Sequence, residues 1–197
     1  MTRSLIYRCE QIIRDIANYS ANRVKGQSFR EAINKRLKFE KEDAWITLCS
    51  LMDVLGDTEL AKENFLKYDL SGPTKIKDMG EQYLRLYGIV NAVYLQRSAL
   101  LSFIELIKLA DKKQFVSKFN SLGIIKLRNI VGAHTVDFKE DGQLNPHQIN
   151  RGSLENGPIS ARDSKGKFTD YDLKQLLTEY NEFASDLIIK ATEKFIK

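Results

Sequence analysis

The chain has 197 residues and a formal net charge of +5, which predicts one domain, residues 1–197, whose apolar core needs no disulfide or metal. Cys9 and Cys49 lie far apart and match no metal or redox spacing, so both are predicted to be free thiols in a reducing compartment. No apolar run has signal-peptide or membrane-spanning length, which argues against export or a membrane partner and predicts a cytoplasmic protein.

The first third of the chain has helical periodicity. An apolar stripe predicts a first helix that ends within residues 22–26; it consists of Leu5, Cys9, Ile12, Ile13 and Ile16. Ser28 and Glu31 have capping-box spacing and predict a second helix. The pattern resumes at Ala44 and reaches Gly56. Asp57 is then predicted to cap a separate, shorter helix in which Glu59 is a first-turn charge.

The longest periodic run follows a loop that the turn residues 69–74 predict. Its apolar positions cover a broad helix face, which predicts a central helix packed on several neighbours. They are Tyr83, Leu86, Tyr87, Val90, Val93, Tyr94, Leu101, Ile104 and Ile107. Tyrosines can also stack on nucleic-acid bases, but aromatic residues at helical spacing usually lie in a core, and the run is interpreted as core.

The last part of the chain has two segments with helical periodicity, and a polar segment separates them. Residues 112–136 predict a helix that Gly123 bends or splits. Residues 142–166 are rich in glycine and proline and predict a surface hairpin or loop insertion that buries little area, with pairing segments at 148–152 and 159–163. Thr169 with Asp172 predicts the start of a final amphipathic helix. The predicted fold class is therefore all-α, with a small insertion before the last helix.

The strongest candidate for chemistry is a short segment that contains Arg128, Asn129 and His134. Histidine exchanges protons near neutral pH, arginine holds phosphate oxygens, and asparagine donates and accepts hydrogen bonds. Residues 112–134 carry five basic residues and no acidic one, and Lys126 and Arg128 are the candidate nucleic-acid contacts. This combination favours phosphodiester chemistry on RNA, whereas an ordinary solvated basic face is the alternative.

Helix geometry bears on how this segment could act. In an ideal α-helix, six residues separate Arg128 from His134 by about 9 Å along the axis and about 120° around it, so the two side chains do not share a face. A two-fold pair of chains could bring the arginine of one subunit to the histidine of the other, which predicts a homodimer with a composite site. Gly132 and Ala133 predict a notch for a second helix or an RNA backbone, or else mark the helix end.

The chain resembles the HEPN superfamily (higher eukaryotes and prokaryotes nucleotide-binding domain). Members of that family are all-helical and have an arginine, a polar residue directly after it and a histidine four to six positions after the arginine, which here are Arg128, Asn129 and His134. The resemblance is clearest over residues 83–137 and looser over 170–197. It implies a metal-independent endoribonuclease that needs no cofactor, acts as a toxin or defence effector and forms a dimer. It also implies that His134 is the general acid or base, that Arg128 stabilises the phosphorane and that Asn129 orients one of them.

Two features depart from that family. One branch has a tyrosine as a modification target two residues after the histidine, where this chain has Val136, and the 142–166 insertion is not part of the minimal fold. Many relatives are inactive, so the sequence leaves open a non-catalytic helical module that binds RNA, nucleotide or a protein partner, or a bare interaction protein. An antitoxin is one such partner. His147 has no neighbours at metal-ligand spacing, and no metal site is predicted.

Overall fold

A computed structural model of the chain describes residues 3–24, 29–74, 78–133, 138–140, 142–155 and 157–197. These residues are mostly helical, with two small antiparallel sheets before the last helix. The coarse prediction of a helical protein with a hairpin-sized β element is therefore confirmed, whereas a HEPN-type bundle and a single domain stay predictions. Three residues named in the sequence predictions lie outside the described residues: Ser28, His134 and Val136.

The described residues form seven α-helices, one π-helical turn, one 3₁₀-helix and five short strands. The helices are α1 (Leu5–Ala21), α2 (Phe29–Arg36), α3 (Ala44–Tyr68), α4 (Met79–Leu106), α5 (Lys112–Ser121), α6 (Gly123–Arg128) and α7 (Leu173–Ile196). The π-helical turn is Asn129–Ala133 and the 3₁₀-helix is Arg151–Leu154. The strands are β1 (Lys139–Glu140), β2 (Gln143–Leu144), β3 (Gln148–Ile149), β4 (Ile159–Arg162) and β5 (Phe168–Tyr171).

Two helix boundaries differ from the sequence predictions. Helix α3 runs without a break through Gly56 and Asp57, so the predicted separate helix capped by Asp57 is wrong. One glycine costs a helix only about 1 kcal/mol, and packing on both sides outweighs that cost. The predicted helix over 112–136 is divided at Leu122, which precedes the first residue of α6, Gly123, so the predicted split is confirmed.

The chain forms two compact units. The first comprises residues 1–59, 95–116 and 182–197. Its core is aliphatic and aromatic, and its most deeply buried members include Ile6, Ile13, Ile33, Leu48, Leu55, Leu100, Phe103, Ile104 and Ile188. A polar cluster is buried in the same unit. Glu59, predicted to be a first-turn charge, is 3% exposed and accepts hydrogen bonds from Ser4 and Gln96, at 2.5 and 2.7 Å.

The second unit comprises residues 60–94 and 117–181 and holds Arg128 and Asn129. Its core includes Leu86, Val90, Val93, Phe119, Ile124, Leu127, Leu177 and Tyr180. The Tyr180 hydroxyl donates to the Val93 carbonyl oxygen at 3.2 Å, so this buried tyrosine satisfies its polar atom inside the unit.

The β strands belong to the second unit. β3 pairs antiparallel with β4, which matches the hairpin pairing predicted from the sequence, and β4 also pairs with β5. The prediction that this region buries little area is wrong. Three of its apolar residues are at most 3% exposed: Leu154 at the end of the 3₁₀-helix, and Ile159 and Ala161 in β4.

The start of α7 also differs in detail. Thr169 pairs within β5, so it does not cap the helix. The Asp172 side chain accepts from the backbone amides of Lys174 and Gln175, at 2.9 and 3.1 Å, and is the residue that caps α7. Cys9 and Cys49 are both free, as predicted. Within the described ranges, no helix has the length and apolar character that a membrane span requires.

Candidate functional site

Arg128 is the last residue of α6, and its half-buried side chain lies against α4. Three buried residues of α6, Ile124, Ile125 and Leu127, fix this short helix in the core of the second unit. The guanidinium carbon lies 3.8 Å from the centre of the Tyr94 ring. An arginine over an aromatic face gains about 0.5–2 kcal/mol, depending on how far the pair is removed from water. The contact therefore restricts a side chain that would otherwise have many rotamers.

Two asparagines complete the surroundings of this guanidinium. Arg128 Nε donates to Asn91 Oδ1 at 3.4 Å, and Nη1 donates to Asn129 Oδ1 at 3.4 Å. Asn91 is itself oriented, because its Nδ2 donates to the Tyr87 carbonyl oxygen one turn earlier on α4 at 2.9 Å. Within the described part of the chain, every contact of the guanidinium is thus with an uncharged group. These groups hold the positive charge in position.

The backbone changes from α- to π-helical directly after Arg128. The π-helical turn covers Asn129–Ala133. Such wide turns are rare and occur frequently at functional sites. They also change the angle between successive side chains, so the 100° per residue of an ideal α-helix does not hold for residues 129–133. His134 itself lies outside the described residues, and the structure brings together Arg128 and Asn129 of the predicted set.

Gly132 has a role other than the one predicted from the sequence. A Cβ atom at this position would lie 3.2 Å from Val90 Cγ2, 3.7 Å from Asn91 Nδ2 and 3.8 Å from Arg128 Cγ. The space beside Gly132 is therefore occupied by α4 of the same chain, and it is not an open notch for a second helix or an RNA backbone. The glycine allows the π-helical turn to approach the residues that hold Arg128.

The remaining predicted contact residue, Lys126, is exposed on α6. Its neighbours Ile125 and Leu127 are buried, so helical alternation directs the lysine away from the core. A cation in that position is able to attract a polyanion, but the structure does not pair it with Arg128. The exposure of Lys126 is established, whereas its contact with nucleic acid stays a prediction.

Sequence reasoning missed the residues of α4 that hold Arg128. Asn91 was not singled out, and Tyr94 was assigned to the core together with Tyr83 and Tyr87. In the structure Tyr87 is 40% exposed, and Tyr83 and Tyr94 are half-buried, so the prediction that these tyrosines are core residues is wrong. The only signal in the sequence was the spacing of Tyr87, Asn91 and Tyr94 on one helix face, and it could not identify Arg128 as their partner.

A second polar cluster lies in the β region. Asn145 is buried, and its Oδ1 accepts from the Ser164 amide at 3.2 Å and from the Ser164 hydroxyl at 2.8 Å. The His147 ring packs edge-on against Phe138, with ring centres 5.2 Å apart. Across the residues that the structure describes, no three His, Cys, Asp or Glu side chains are grouped to hold a metal ion. The two bonds from Ser164 to Asn145 connect the segment after β4 with the segment before β3.

Comparison of the chain with family models, with curated proteins and with solved structures gives no significant match. The site has to be judged by its own geometry. That geometry is an arginine held by an aromatic face and two amides at the beginning of a π-helical turn.

Proposed function

We propose that this protein is a metal-independent endoribonuclease of the HEPN type, with Arg128, Asn129 and His134 as its catalytic residues. The observation that carries the proposal is the guanidinium of Arg128, which the ring of Tyr94 and the side-chain oxygens of Asn91 and Asn129 hold in position. A fixed arginine fork binds two oxygens of one phosphate, and it stabilises the extra negative charge of a phosphorane more than that of the ground state.

In the proposed reaction, the ribose 2′-oxygen attacks the adjacent phosphorus while the bond from phosphorus to the 5′-oxygen breaks. His134 takes the proton from the 2′-hydroxyl or supplies a proton to the leaving 5′-oxygen. The products are a 2′,3′-cyclic phosphate and a 5′-hydroxyl end. Asn129 accepts from Arg128 through Oδ1, so its Nδ2 group is the part that can donate to a phosphate oxygen.

The composite dimer site belongs to this proposal through the family resemblance. In it, Arg128 of one subunit and His134 of the partner subunit act on the same phosphate. We also propose, on the same resemblance, that the protein is a toxin or defence effector in the cytoplasm and that an antitoxin or another protein controls it.

The direct test is to incubate the purified protein with mixed RNAs in EDTA and to identify the new ends. We expect fragments with cyclic phosphate and 5′-hydroxyl ends, which a His134→Ala variant purified in parallel does not produce. Equal cleavage by both preparations would mean that a contaminating nuclease is responsible. RNA binding without any cleavage would instead support the non-catalytic alternative.

A further inference from the structure

Helix α4 presents three tyrosines on one side. In an ideal helix, Tyr83, Tyr87 and Tyr94 lie within about 40° of each other. None of them is in the core: Tyr87 is 40% exposed, and the other two are half-buried. The rings of Tyr83 and Tyr87 lie against each other with centres 5.7 Å apart and planes inclined by 35°. We refer to these three residues as the tyrosine strip.

The tyrosine strip is connected to the candidate site. Arg128 lies over the ring of Tyr94, at one end of the strip. Between the two ends, Asn91 donates to the Tyr87 carbonyl oxygen and accepts from Arg128. Tyr87 and Tyr94 are about 10.5 Å apart along the helix axis at 1.5 Å per residue. An exposed aromatic ring and a positioned cation thus lie on one continuous surface of the second unit.

Within the second unit, the segments that carry the strip and Arg128 favour a polyanion over a protein partner. Residues 82–94 contain one arginine and no acidic residue, and residues 117–133 contain three basic residues and no acidic one. Surfaces that combine aromatic rings with positive charge are those on which single-stranded nucleic acids bind, because every base has a face that can stack and every nucleotide has a phosphate.

We propose that the tyrosine strip is a base-binding subsite for single-stranded RNA. A base stacks on the exposed face of Tyr87, whose other side is supported by Tyr83, and Arg128 holds a phosphate of the same strand. Paired bases in a duplex offer no free face, so the subsite selects single strands and loops. This inference rests on the proposed function, in which RNA is the substrate.

Binding can be measured separately from cleavage with a fluorescent single-stranded 2′-O-methyl oligonucleotide. Its blocked 2′-oxygen cannot attack the phosphorus, so fluorescence anisotropy reports binding alone. We expect Tyr87→Leu to weaken binding by about five- to tenfold, the lower range for loss of one stacked base. Tyr87→Phe keeps the ring and should bind like the unmodified protein.

The matched control is Tyr19→Leu. Tyr19 is a 55% exposed tyrosine on α1 that also lies beside an arginine, since the Arg23 guanidinium carbon is 4.1 Å from its ring centre. This variant removes an aromatic–arginine pair of the same kind and should leave oligonucleotide binding unchanged. Circular dichroism of each variant verifies that the helices are intact.

Salt dependence distinguishes the two parts of the subsite. Arg128→Ala should lower the slope of log affinity against log salt by about 0.7, the value for one phosphate contact on a single strand. Tyr87→Leu should lower affinity at every salt concentration with the slope unchanged, because stacking releases no counterions. A duplex of the same sequence should bind more weakly than the single strand.

Three results would overturn the subsite: unchanged binding by Tyr87→Leu, equal binding of duplex and single strand, or loss of self-association instead of RNA binding in sedimentation. The last would make the strip an interface between copies of this chain. Different results would contradict the ribonuclease activity and the base-binding subsite. Strip-dependent binding without cleavage of ordinary RNA contradicts the ribonuclease, whereas cleavage that Tyr87→Leu leaves unaffected contradicts the subsite.

Discussion

The guanidinium of Arg128 lies over the ring of Tyr94, with 3.8 Å between the guanidinium carbon and the ring centre. A carboxylate in place of the ring would also restrict the arginine side chain, but it would compete with a phosphate for the same hydrogen-bond donors. The face of the ring attracts the cation without occupying those donors. This pair therefore combines a restricted side chain with an available charge, which a phosphoryl site requires.

The first prediction concerns Arg128, the arginine proposed to be catalytic. Arg128→Ala should lower the rate of RNA cleavage by about 10²–10³-fold, since it removes a donor that acts on the transition state. Arg128→Lys should recover only part of that rate, because a lysine keeps the charge but not the planar fork. The control is Arg23→Ala, which removes the equivalent contact with Tyr19 on α1 and should cleave at the normal rate. Normal cleavage by Arg128→Ala would contradict the assigned role.

The second prediction concerns the histidine and the dimer. His134→Ala should lose about 10²–10⁴-fold in rate, the usual value of acid–base help, and cleavage by the unmodified protein should survive EDTA.

If the site takes Arg128 and His134 from different subunits, a mixture of Arg128→Ala and His134→Ala proteins should recover part of the activity. Subunit exchange is first verified with differently tagged chains. A mixture that stays inactive after exchange would argue against cross-subunit pairing.

The sequence predicts most helices of this protein because their apolar spacing is regular, but it does not predict which helix surfaces are covered. The tyrosines of α4 have the spacing of core residues, yet Tyr87 is 40% exposed, since periodicity reports a face and not what lies against it. Gly56 and Asp57 resemble a helix boundary, but tertiary packing extends α3 through them. The residue type alone makes Arg128 a candidate for binding phosphate oxygens. Its contacts with Asn91 and Tyr94 depend on long-range folding, so the sequence does not predict them.

The third prediction tests the close approach at Gly132. In Gly132→Ala the new Cβ would lie 3.2 Å from Val90 Cγ2, so the Val90 side chain, next to Asn91 on α4, has to move by a few tenths of an ångström. Because Asn91 holds Arg128, we expect cleavage to fall by about tenfold or more, as small displacements of catalytic groups are costly. Far-UV circular dichroism should remain unchanged.

Two further variants distinguish the crowding that the new Cβ causes from the change in helix propensity that alanine brings. Adding Val90→Ala to Gly132→Ala removes the methyl groups nearest to the new Cβ and should recover activity. Gly56→Ala is the matched control, since nothing lies within 4 Å of a Cβ at that position in α3. It should cleave RNA normally and gain up to about 1 kcal/mol of stability from helix propensity. If the double variant is no more active than Gly132→Ala, crowding against Val90 is not the cause.

The fourth prediction concerns the buried polar cluster of the first unit. Gln96 is 0% exposed, and its Nε2 donates to Thr58 Oγ1 at 3.0 Å and to Glu59 Oε1 at 2.7 Å. Gln96→Leu keeps the approximate volume but removes both donations, which should lower the free energy of unfolding by about 1–3 kcal/mol. Urea unfolding measures the change. Gln175→Leu, at an exposed position of α7, is the control and should have little effect.

The last prediction uses the turn between β4 and β5. Asp163 Oδ1 accepts from the backbone amides of Lys167 and Lys165, at 2.8 and 2.9 Å. The hydrogen bond from Lys167 is the largest cause that lowers the pKa of this carboxyl below its ordinary value of 3.8, and that from Lys165 acts in the same direction. Both bonds favour the ionised form, because an amide donates more strongly to a carboxylate than to a neutral acid.

A lowered pKa in the folded state means that the ionised Asp163 stabilises the fold above the ordinary carboxyl pKa, near 3.8. This contribution should decrease as the pH falls through the lower value of the folded protein. The difference in unfolding free energy between the unmodified protein and Asp163→Asn should thus be constant from neutral pH to about pH 4 and should shrink in stronger acid. Asp170→Asn, at an exposed position of β5, corrects for the loss of one surface charge. An NMR titration of the Asp163 carboxyl gives its pKa directly, and a value at or above that of an unfolded peptide would contradict the predicted role of the turn.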